Sequence, residues 1–217
     1  MPPATHPLPR APFITFEGIE GSGKTTLSQW LAEWLRAQGV PALLTCEPGG
    51  SELGLALRHA LLQTHPDPKT ELFLFLADRA HHVQAIILPA LQQGTWVISD
   101  RYADSTLAYQ GYGRGLDIET LRQLNQFATE GLTPDLTFLI DLPVEHALAR
   151  TTQPNRFERE ERAFHQRVRE GYLQIAQHEP ERFITLDGMQ PLEALQRAVQ
   201  DAVWSRFGDR LSVRRSE

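Results

Sequence analysis

A glycine-rich segment near the start of the chain limits the folds that this sequence can adopt more than any other feature. Residues 13–26 read FITFEGIEGSGKTT: a short apolar run, then G-x-x-x-x-G-K-T from Gly18 to Thr25, then an amphipathic stretch. This order predicts a strand, a phosphate-binding loop and a helix, in which backbone N–H groups and a helix N-terminus surround a phosphate. The sequence therefore predicts a nucleoside triphosphate site. The residues expected around the triphosphate are Gly18, Ile19, Glu20, Gly21, Ser22, Gly23, Lys24, Thr25 and Thr26.

Strand-like runs alternate with helical patterns along the chain, which predicts an α/β fold with a five-stranded parallel sheet flanked by helices. The runs that qualify as strands are 13–17, 40–46, 96–100, 136–141 and 183–187. Helices are expected at about 24–38, 51–63, 69–93, 117–130, 143–150, 158–178 and 190–206. We expect one domain over residues 13–206, a disordered lead-in at 1–12 and a fraying tail at 207–217.

Composition excludes several classes of function. The chain of 217 residues has 21 Lys and Arg against 27 Asp and Glu, a net charge of −6, which argues against a general nucleic-acid binder. Its single cysteine, Cys46, allows no internal disulfide and fits a reducing cytoplasm. No apolar run approaches the length of a membrane span, so we expect no membrane partner.

Polar residues follow the predicted strands, at the sheet edge where ligands of such folds bind. Asp100 and Arg101 end an apolar strand: Asp100 would join Thr25 at a Mg²⁺ ion, and Arg101 would bind an anion. A surface salt bridge between Asp100 and Arg101 stays open as an alternative. The stretch 105–115 combines hydroxyl, amide and aromatic side chains with glycines expected to be flexible. It suits recognition of a planar heterocycle, since the Gln110 amide can both donate and accept hydrogen bonds.

On these segments the chain resembles the bacterial thymidylate kinases, a family of P-loop nucleoside monophosphate kinases. The resemblance rests on the G-I-E-G-S-G-K-T-T loop, E-P-G-G at 47–50, F-L-A-D-R at 75–79, D-R-Y at 100–102, S-T-x-A-Y-Q-G at 105–111, P-D-L-T-F-L-I-D-L at 134–142 and N-R-F-E at 155–158. It implies that the γ-phosphoryl group of ATP is transferred to dTMP to give dTDP in dTTP biosynthesis. It also implies a Mg²⁺ cofactor and a homodimer in the cytoplasm.

The same resemblance assigns roles in the acceptor site. It implies that Glu20 faces the sugar of dTMP, that Phe75 stacks on thymine, and that Arg79 and Arg101 hold the monophosphate. Phe75 and Arg79 are spaced i, i+4, so both can face one pocket from the same helix, although a place in the core stays open for Phe75. The residues implied to bind dTMP are Glu47, Phe75, Arg79, Arg101, Ser105, Tyr109 and Gln110.

A short lid at about 150–159 is implied after the fourth strand. Because the phosphate loop lacks arginine, the lid is expected to supply the cation at the transferred phosphoryl group, from Arg150, Arg156 or Arg159, with the first two favoured. A solvated run of charges is the alternative. The residues with implied catalytic roles are Lys24, Glu20, Arg101, Arg150 and Arg156. Cys46 departs from the family, which often has arginine there; we expect an inert thiol and a weaker contact near the acceptor phosphate.

Two other functions remain open on the residues alone. One is a kinase that acts on a different small acceptor. The other is a nucleotide-gated switch or regulatory ATPase that binds a partner protein, although the chain has no guanine-reading N-K-x-D motif. Dependence of nucleotide hydrolysis on an added acceptor distinguishes these functions.

Overall fold

The computed structural model describes residues 10–150 and 156–212, which form a parallel five-stranded sheet in the order β2-β3-β1-β4-β5. The strands are β1 (Phe13–Glu17), β2 (Ala42–Cys46), β3 (Trp96–Asp100), β4 (Leu136–Asp141) and β5 (Phe183–Asp187). The predicted fold class is confirmed, and β2 alone begins later than predicted. Pro41 lacks the N–H group that a strand would use in the sheet, so the ladder starts after it.

Helices cover the strands and the loops between them. Their bounds are α1 (Lys24–Ala37), α2 (Glu52–Gln63), α3 (Pro68–His82), α4 (Leu88–Gln92), α5 (Ala103–Thr106), α6 (Ile118–Thr129), α7 (Val144–Ala149), α8 (Arg162–His178) and α9 (Leu192–Ser212), with π-helical turns at Val83–Ile87 and Leu107–Gly113. The helix predicted at 69–93 is present as one helical run from Pro68 to Gln92, but Val83–Ile87 widens into a π-helical turn instead of staying α-helical. Pro89 cannot donate the hydrogen bond that an α-helix would form to the carbonyl of Ala85.

Two apolar clusters hold the layers together. In the first, buried α1 residues such as Leu27, Leu31 and Leu35 pack with β1 and with α9. Their i, i+4, i+8 spacing gives α1 one continuous apolar face, and burial of each leucine contributes about 1.5–3 kcal/mol. In the second cluster, Val168 and Tyr172 of α8 pack with the π-helical turn at Leu107–Gly113. This second cluster forms the floor of the site described below.

The segment between β3 and α6 differs from its prediction. It is helical through α5 and Leu107–Gly113 rather than a flexible glycine-containing stretch. A Cβ atom on Gly111 would lie 2.3 Å from Ile118 Cδ1, and one on Gly113 would lie 2.7 Å from a ring carbon of Phe164. These glycines are therefore needed for close helix packing, a role that sequence patterning alone does not distinguish from flexibility.

Both ends of the domain extend beyond the predicted bounds. Arg10 pairs with Asp135 at 2.6 Å, and Ala11 N donates to the carbonyl of Leu91, so residues before 13 also pack on the domain. Helix α9 continues past residue 206, and Phe207 and Leu211 are buried against the first cluster. The rest of the predicted lead-in (1–9) and tail (213–217), and lid residues 151–155, lie outside the described residues. Within the described part of the chain, no helix has the length and apolar character needed to cross a membrane.

Candidate active site

The phosphate loop connects β1 to α1 and is shaped by its glycines. Gly18, Gly21 and Gly23 have φ values of 142°, 73° and 101°. A Cβ atom on Gly21 would lie 2.3 Å from the carbonyl oxygen of Ala147, so the loop packs directly on α7. The conformation therefore requires glycine for two reasons, the left-handed backbone and the close approach of another chain segment. The result is a row of backbone N–H groups at the N-terminus of α1.

Lys24 lies at the centre of this loop. Its Nζ donates to the carbonyl of Ile19 at 2.7 Å, and only 6% of the residue is exposed. Burial lowers the pKa of Lys24 to about 8, with the positive charge of Arg101 acting in the same direction and nearby carboxylates opposing it. A bound triphosphate would supply the negative charge that this buried ammonium group lacks.

Thr25 and Asp100, the residues predicted to hold a metal, are neighbours in space. The register of β1 against β3 pairs Phe16 with Asp100, so the Asp100 carboxylate is at the phosphate-loop edge of the sheet. The Thr25 hydroxyl donates a hydrogen bond to it. A hydroxyl and a carboxylate oxygen beside a phosphate site are hard oxygen ligands of the kind that Mg²⁺ takes, so this pair fits the ion.

Two cavities meet at this loop. One has a volume of about 500 Å³ and the other of about 640 Å³, and loop residues line both. Both are lined by Gly21, Lys24 and Thr25. Two bound molecules would therefore approach each other at the Lys24 ammonium group.

The smaller cavity lies between the phosphate loop and the segment after β5. Arg150 lines it together with Gly188 and Gln190. The guanidinium lies 3.5 Å from the carbonyl oxygen of Gly21 and 3.4 Å from that of Gly188, both long for hydrogen bonds. Arg150 is therefore a weakly bound cation beside the phosphate loop.

The larger cavity contains the predicted acceptor site. All of the residues predicted to bind dTMP line it: Glu47, Phe75, Arg79, Arg101, Ser105, Tyr109 and Gln110. They follow β2 and β3 directly or lie on α3 and on the helical segment after β3, and the sheet edge brings them together. Their contact with a ligand stays a prediction.

Arg101 connects the phosphate loop to this cavity. Its backbone φ of 73° is in the left-handed region that favours glycine, which is uncommon for arginine and is characteristic of functional sites. The side chain donates to Glu20 at 3.0 Å, to the carbonyl of Gly18 at 3.0 Å and to the Tyr109 hydroxyl at 3.2 Å. Arg101 thus pairs with Glu20 across the loop, which disfavours the alternative of a surface salt bridge with Asp100.

The carboxylate of Glu20 is held ionised by its neighbours. Burial alone would raise the pKa of Glu20, but the charges of Arg101 and Lys24 lower it below its usual value. The Tyr109 hydroxyl donates to the same carboxylate. Glu20 is therefore a fixed negative charge inside the loop, facing the larger cavity that it lines.

Arg79 is more deeply buried than a simple phosphate ligand would be, with 1% of the residue exposed. It donates to Glu47 at 2.8 Å, to Thr106 and Asn125 at 2.7 Å each, and to the carbonyl of Tyr102 at 3.0 Å. A guanidinium carries five N–H donors, so little of its capacity is left for a ligand. Arg79 therefore ties α3 to the segment after β3, and its predicted role at the monophosphate would use the remaining donor.

Three charged residues in or beside the site received no role from the sequence. Glu17, which ends β1, accepts hydrogen bonds from Tyr102 N and Ser105 Oγ, and burial, with Asp104 adding to it, raises the pKa of Glu17 to about 7. In the sequence, the signal for this residue is a glutamate at the end of an apolar strand, directly before the phosphate loop. The second residue is Arg58 of α2, which lines the larger cavity.

Arg58 bears on the departure at Cys46. The two residues line the same cavity, and Arg58 also donates to the carbonyl of Pro48 at 2.8 Å. Burial raises the pKa of the Cys46 thiol, which therefore stays protonated, as expected of an inert cysteine. A cation from α2 thus lies near the place where the family often has an arginine on β2.

The third missed residue is Glu71, which binds the far end of the lid. Arg156 donates to Glu71 at 2.6 Å and to the carbonyl of Leu61. Arg156 thus contacts α2 and α3, whereas Arg150 contacts the phosphate loop. The spacing Glu71, Phe75, Arg79 places all three on one face of α3, a signal that was present in the sequence.

Comparisons with known proteins agree with this geometry. The family model for thymidylate kinase matches residues 16–199. The thymidylate kinase of Desulfovibrio desulfuricans is 53% identical over 194 residues, covering 83% of this chain and 89% of that protein. The thymidylate kinase of Carboxydothermus hydrogenoformans is 52% identical over 191 residues, covering 86% and 93%. The crystal structure of thymidylate kinase from Ehrlichia chaffeensis has a TM-score of 0.75 at 38% identity and covers 90% of this chain and 99% of that one. The chain belongs to the thymidylate kinase family.

Proposed function

We propose that this protein transfers the γ-phosphoryl group of ATP to dTMP, giving ADP and dTDP for dTTP biosynthesis. The observation that carries this proposal is the meeting of two cavities at Lys24. An enzyme that hydrolyses nucleotide as a switch needs only the first cavity, whereas a phosphotransferase needs a second site for the acceptor within reach of the same phosphoryl group.

The smaller cavity is the proposed site of ATP. Backbone N–H groups of the glycine-rich loop would hold the β- and γ-phosphates, and the Lys24 ammonium would balance charge at the phosphoryl group in transfer. Thr25 and Asp100 would hold Mg²⁺, which when bound neutralises phosphate charge and fixes its geometry. Arg150 lies beside the loop in this cavity, so we favour it over Arg156 as the lid cation that acts on the transferred group.

The larger cavity is the proposed site of dTMP. Arg101, with the free donors of Arg58 and Arg79, would hold the acceptor phosphate in line with the donor. Glu20 would accept a hydrogen bond from the sugar. The ring of Phe75 would stack on thymine, with Gln110 at its polar edge. These residues position the reactants and balance charge, and they take no covalent part in the reaction.

An acceptor screen tests the proposal. ADP release from ATP and Mg²⁺ is measured with dTMP, dUMP, UMP, CMP, AMP or GMP, and without an acceptor. Strong stimulation by dTMP is expected. Equal release with every acceptor and with none would refute the kinase function in favour of an ATPase or a switch, and a preference for another monophosphate would refute the assigned substrate.

A homodimer is the proposed assembly. Helices α3 and α6 pack against each other, and each carries an exposed phenylalanine: Phe73 is 60% exposed and Phe127 is 86% exposed. An exposed phenylalanine on each of two adjacent helices favours a protein contact. Light scattering should give a dimer mass that Phe127→Glu reduces to that of a monomer; a wild-type monomer at micromolar concentration would contradict this. The enzyme would act in the cytoplasm, where its nucleotide substrates are found.

A further inference from the structure

Glu71 is a buried carboxylate that lies behind Gln110, one of the residues lining the larger cavity. It lies in the first turn of α3, where acidic side chains ordinarily face solvent, yet 1% of it is exposed. It accepts hydrogen bonds from Gln110 Nε2 at 2.8 Å, from Arg114 Nε at 3.3 Å and from an Arg156 guanidinium nitrogen at 2.6 Å. The two arginines offset the cost of burying the charge.

The contact with Gln110 fixes the direction of an amide group. An amide side chain presents donors on one side and an acceptor on the other, and the partners on each side decide which way it points. Glu71 offers only acceptor atoms, so the NH₂ group of Gln110 must point towards it. The carbonyl oxygen of Gln110 is then left for the cavity that Gln110 lines.

A carbonyl oxygen at this place distinguishes between pyrimidines. Thymine and uracil carry a hydrogen at N3 and can donate it to the carbonyl. Cytosine has an unprotonated N3, which would face the carbonyl oxygen with no hydrogen between the two atoms. A site whose polar group is left unpaired discriminates strongly against the ligand that fails to pair with it.

We propose that Glu71 is a positioning residue that makes the acceptor site selective for pyrimidines with a hydrogen at N3, because it holds the Gln110 amide in one orientation. The proposal rests on the proposed role of Gln110 at the base. It assigns the discrimination between thymine and cytosine to a pair of residues, of which only Gln110 reaches the base.

The test compares kcat/KM for dTMP and dCMP in Glu71→Gln. The introduced amide can donate as well as accept, so Gln110 becomes free to present either face. We expect the ratio of the two kcat/KM values to fall by about tenfold or more, mainly through KM, while kcat with dTMP changes less. The matched control is Glu160→Gln. It removes another carboxylate partner of Arg114, at 2.7 Å, without touching Gln110, and it should leave the ratio unchanged.

A double variant provides a rescue. In Glu71→Gln combined with Gln110→Glu the donor and acceptor are exchanged: the amide introduced at position 71 donates to the carboxylate introduced at position 110. The other oxygen of that carboxylate faces the base as an acceptor. This variant should recover most of the discrimination between dTMP and dCMP. If Glu71→Gln alone does not fold, the kcat/KM ratio of the double variant is the result that decides. A wild-type ratio in folded Glu71→Gln, or a double variant as unselective as the single one, would overturn the proposal.

Gln110→Leu separates the two levels of the argument. If this variant leaves the ratio unchanged, Gln110 does not read the base and the proposed role on which the inference rests is wrong. If it lowers the ratio while Glu71→Gln does not, the role of Gln110 stands and only the inference about Glu71 fails. Loss of discrimination in both variants supports the inference.

Discussion

The donor and acceptor ends of the active site are built in different ways. The donor end consists largely of one continuous segment, Gly18–Thr25, in which backbone groups and a single lysine surround the phosphates. The acceptor end is assembled from β2, α2, α3, β3 and the helical segment after β3, and side chains line it. The first can therefore be recognised in a sequence by spacing alone, whereas the second exists only once the sheet has brought distant segments together.

The two ends also differ in how their buried charged side chains are balanced. At the donor end, burial and the charge of Arg101 lower the pKa of the Lys24 ammonium group to about 8, and a bound anion would stabilise its charge. At the acceptor end two buried ion pairs are already formed: Arg79 with Glu47, and, behind Gln110, Arg156 with Glu71. The donor end gains its charge balance from substrate, and the acceptor end is organised before substrate arrives. Changes at the two ends should therefore have different kinetic signatures.

The largest effect is expected at the donor end. Lys24→Met keeps the length and apolar stem of the side chain and removes its charge, so turnover should fall by a factor on the order of 10³. Burial opposes the Lys24 charge more than the nearby carboxylates favour it, so thermal stability should not fall when the charge is removed. Steady-state ADP release and thermal unfolding measure the two quantities. A near-normal rate would contradict the assignment of this loop as the phosphoryl-transfer site.

A smaller effect is expected where the two ends meet. Arg101→Ala should raise KM for dTMP and lower kcat, with kcat/KM reduced by about 10²-fold, because Arg101 would bind the acceptor phosphate and also positions Glu20. Arg122→Ala is the matched control, since it removes an arginine whose partner, Glu179, is in a partly exposed pair on the C-terminal side of α8. Unchanged kinetics in Arg101→Ala would mean that Arg101 has only a structural role.

The helical segment after β3 should be sensitive to volume rather than to flexibility. Gly113→Ala places a methyl group where a Cβ atom would lie 2.7 Å from the Phe164 ring, so we expect a loss of about 1–3 kcal/mol in the free energy of unfolding. Gly115→Ala is a control with open space around the added atom, although its φ of 79° adds strain of its own. Urea unfolding measures both variants. Equal stability of Gly113→Ala and wild type would restore the interpretation of this segment as flexible.

The smallest expected effect is a pH dependence from Glu17. Burial, with Asp104 adding to it, raises its pKa from 4.5 to about 7 in the folded protein. Between these values the folded state binds more protons than the unfolded state, so the contribution of Glu17 to stability falls as pH rises from about 4.5 to about 7. Position 17 does not titrate in Glu17→Gln. As pH rises across this range, the Tm of wild type should therefore fall relative to the Tm of the variant. Parallel pH profiles would contradict the raised pKa.

The sequence predicts the sheet and the phosphate loop well because both follow local rules. Apolar runs of strand length alternate with helical periodicity, and the loop has a fixed spacing. It fails at Leu107–Gly113, where Gly111 and Gly113 permit helix packing but resemble turn residues when their neighbours in space are unknown. Glu71 was missed for a similar reason. A glutamate in the first turn of a helix has an ordinary role on the surface, and its burial is decided by Gln110, Arg114 and Arg156, which are 39 or more residues away.

One binding measurement tests whether the two cavities that meet at Lys24 form a single active site. The ligand is a dinucleotide that joins adenosine and thymidine through a polyphosphate chain, and its affinity is compared by calorimetry with those of ATP and dTMP. This dinucleotide should bind far more tightly than either nucleotide and should prevent both from binding, and Lys24→Met should weaken its binding. Binding no tighter than that of ATP, with the dTMP site still open, would contradict the claim that the cavities form one active site.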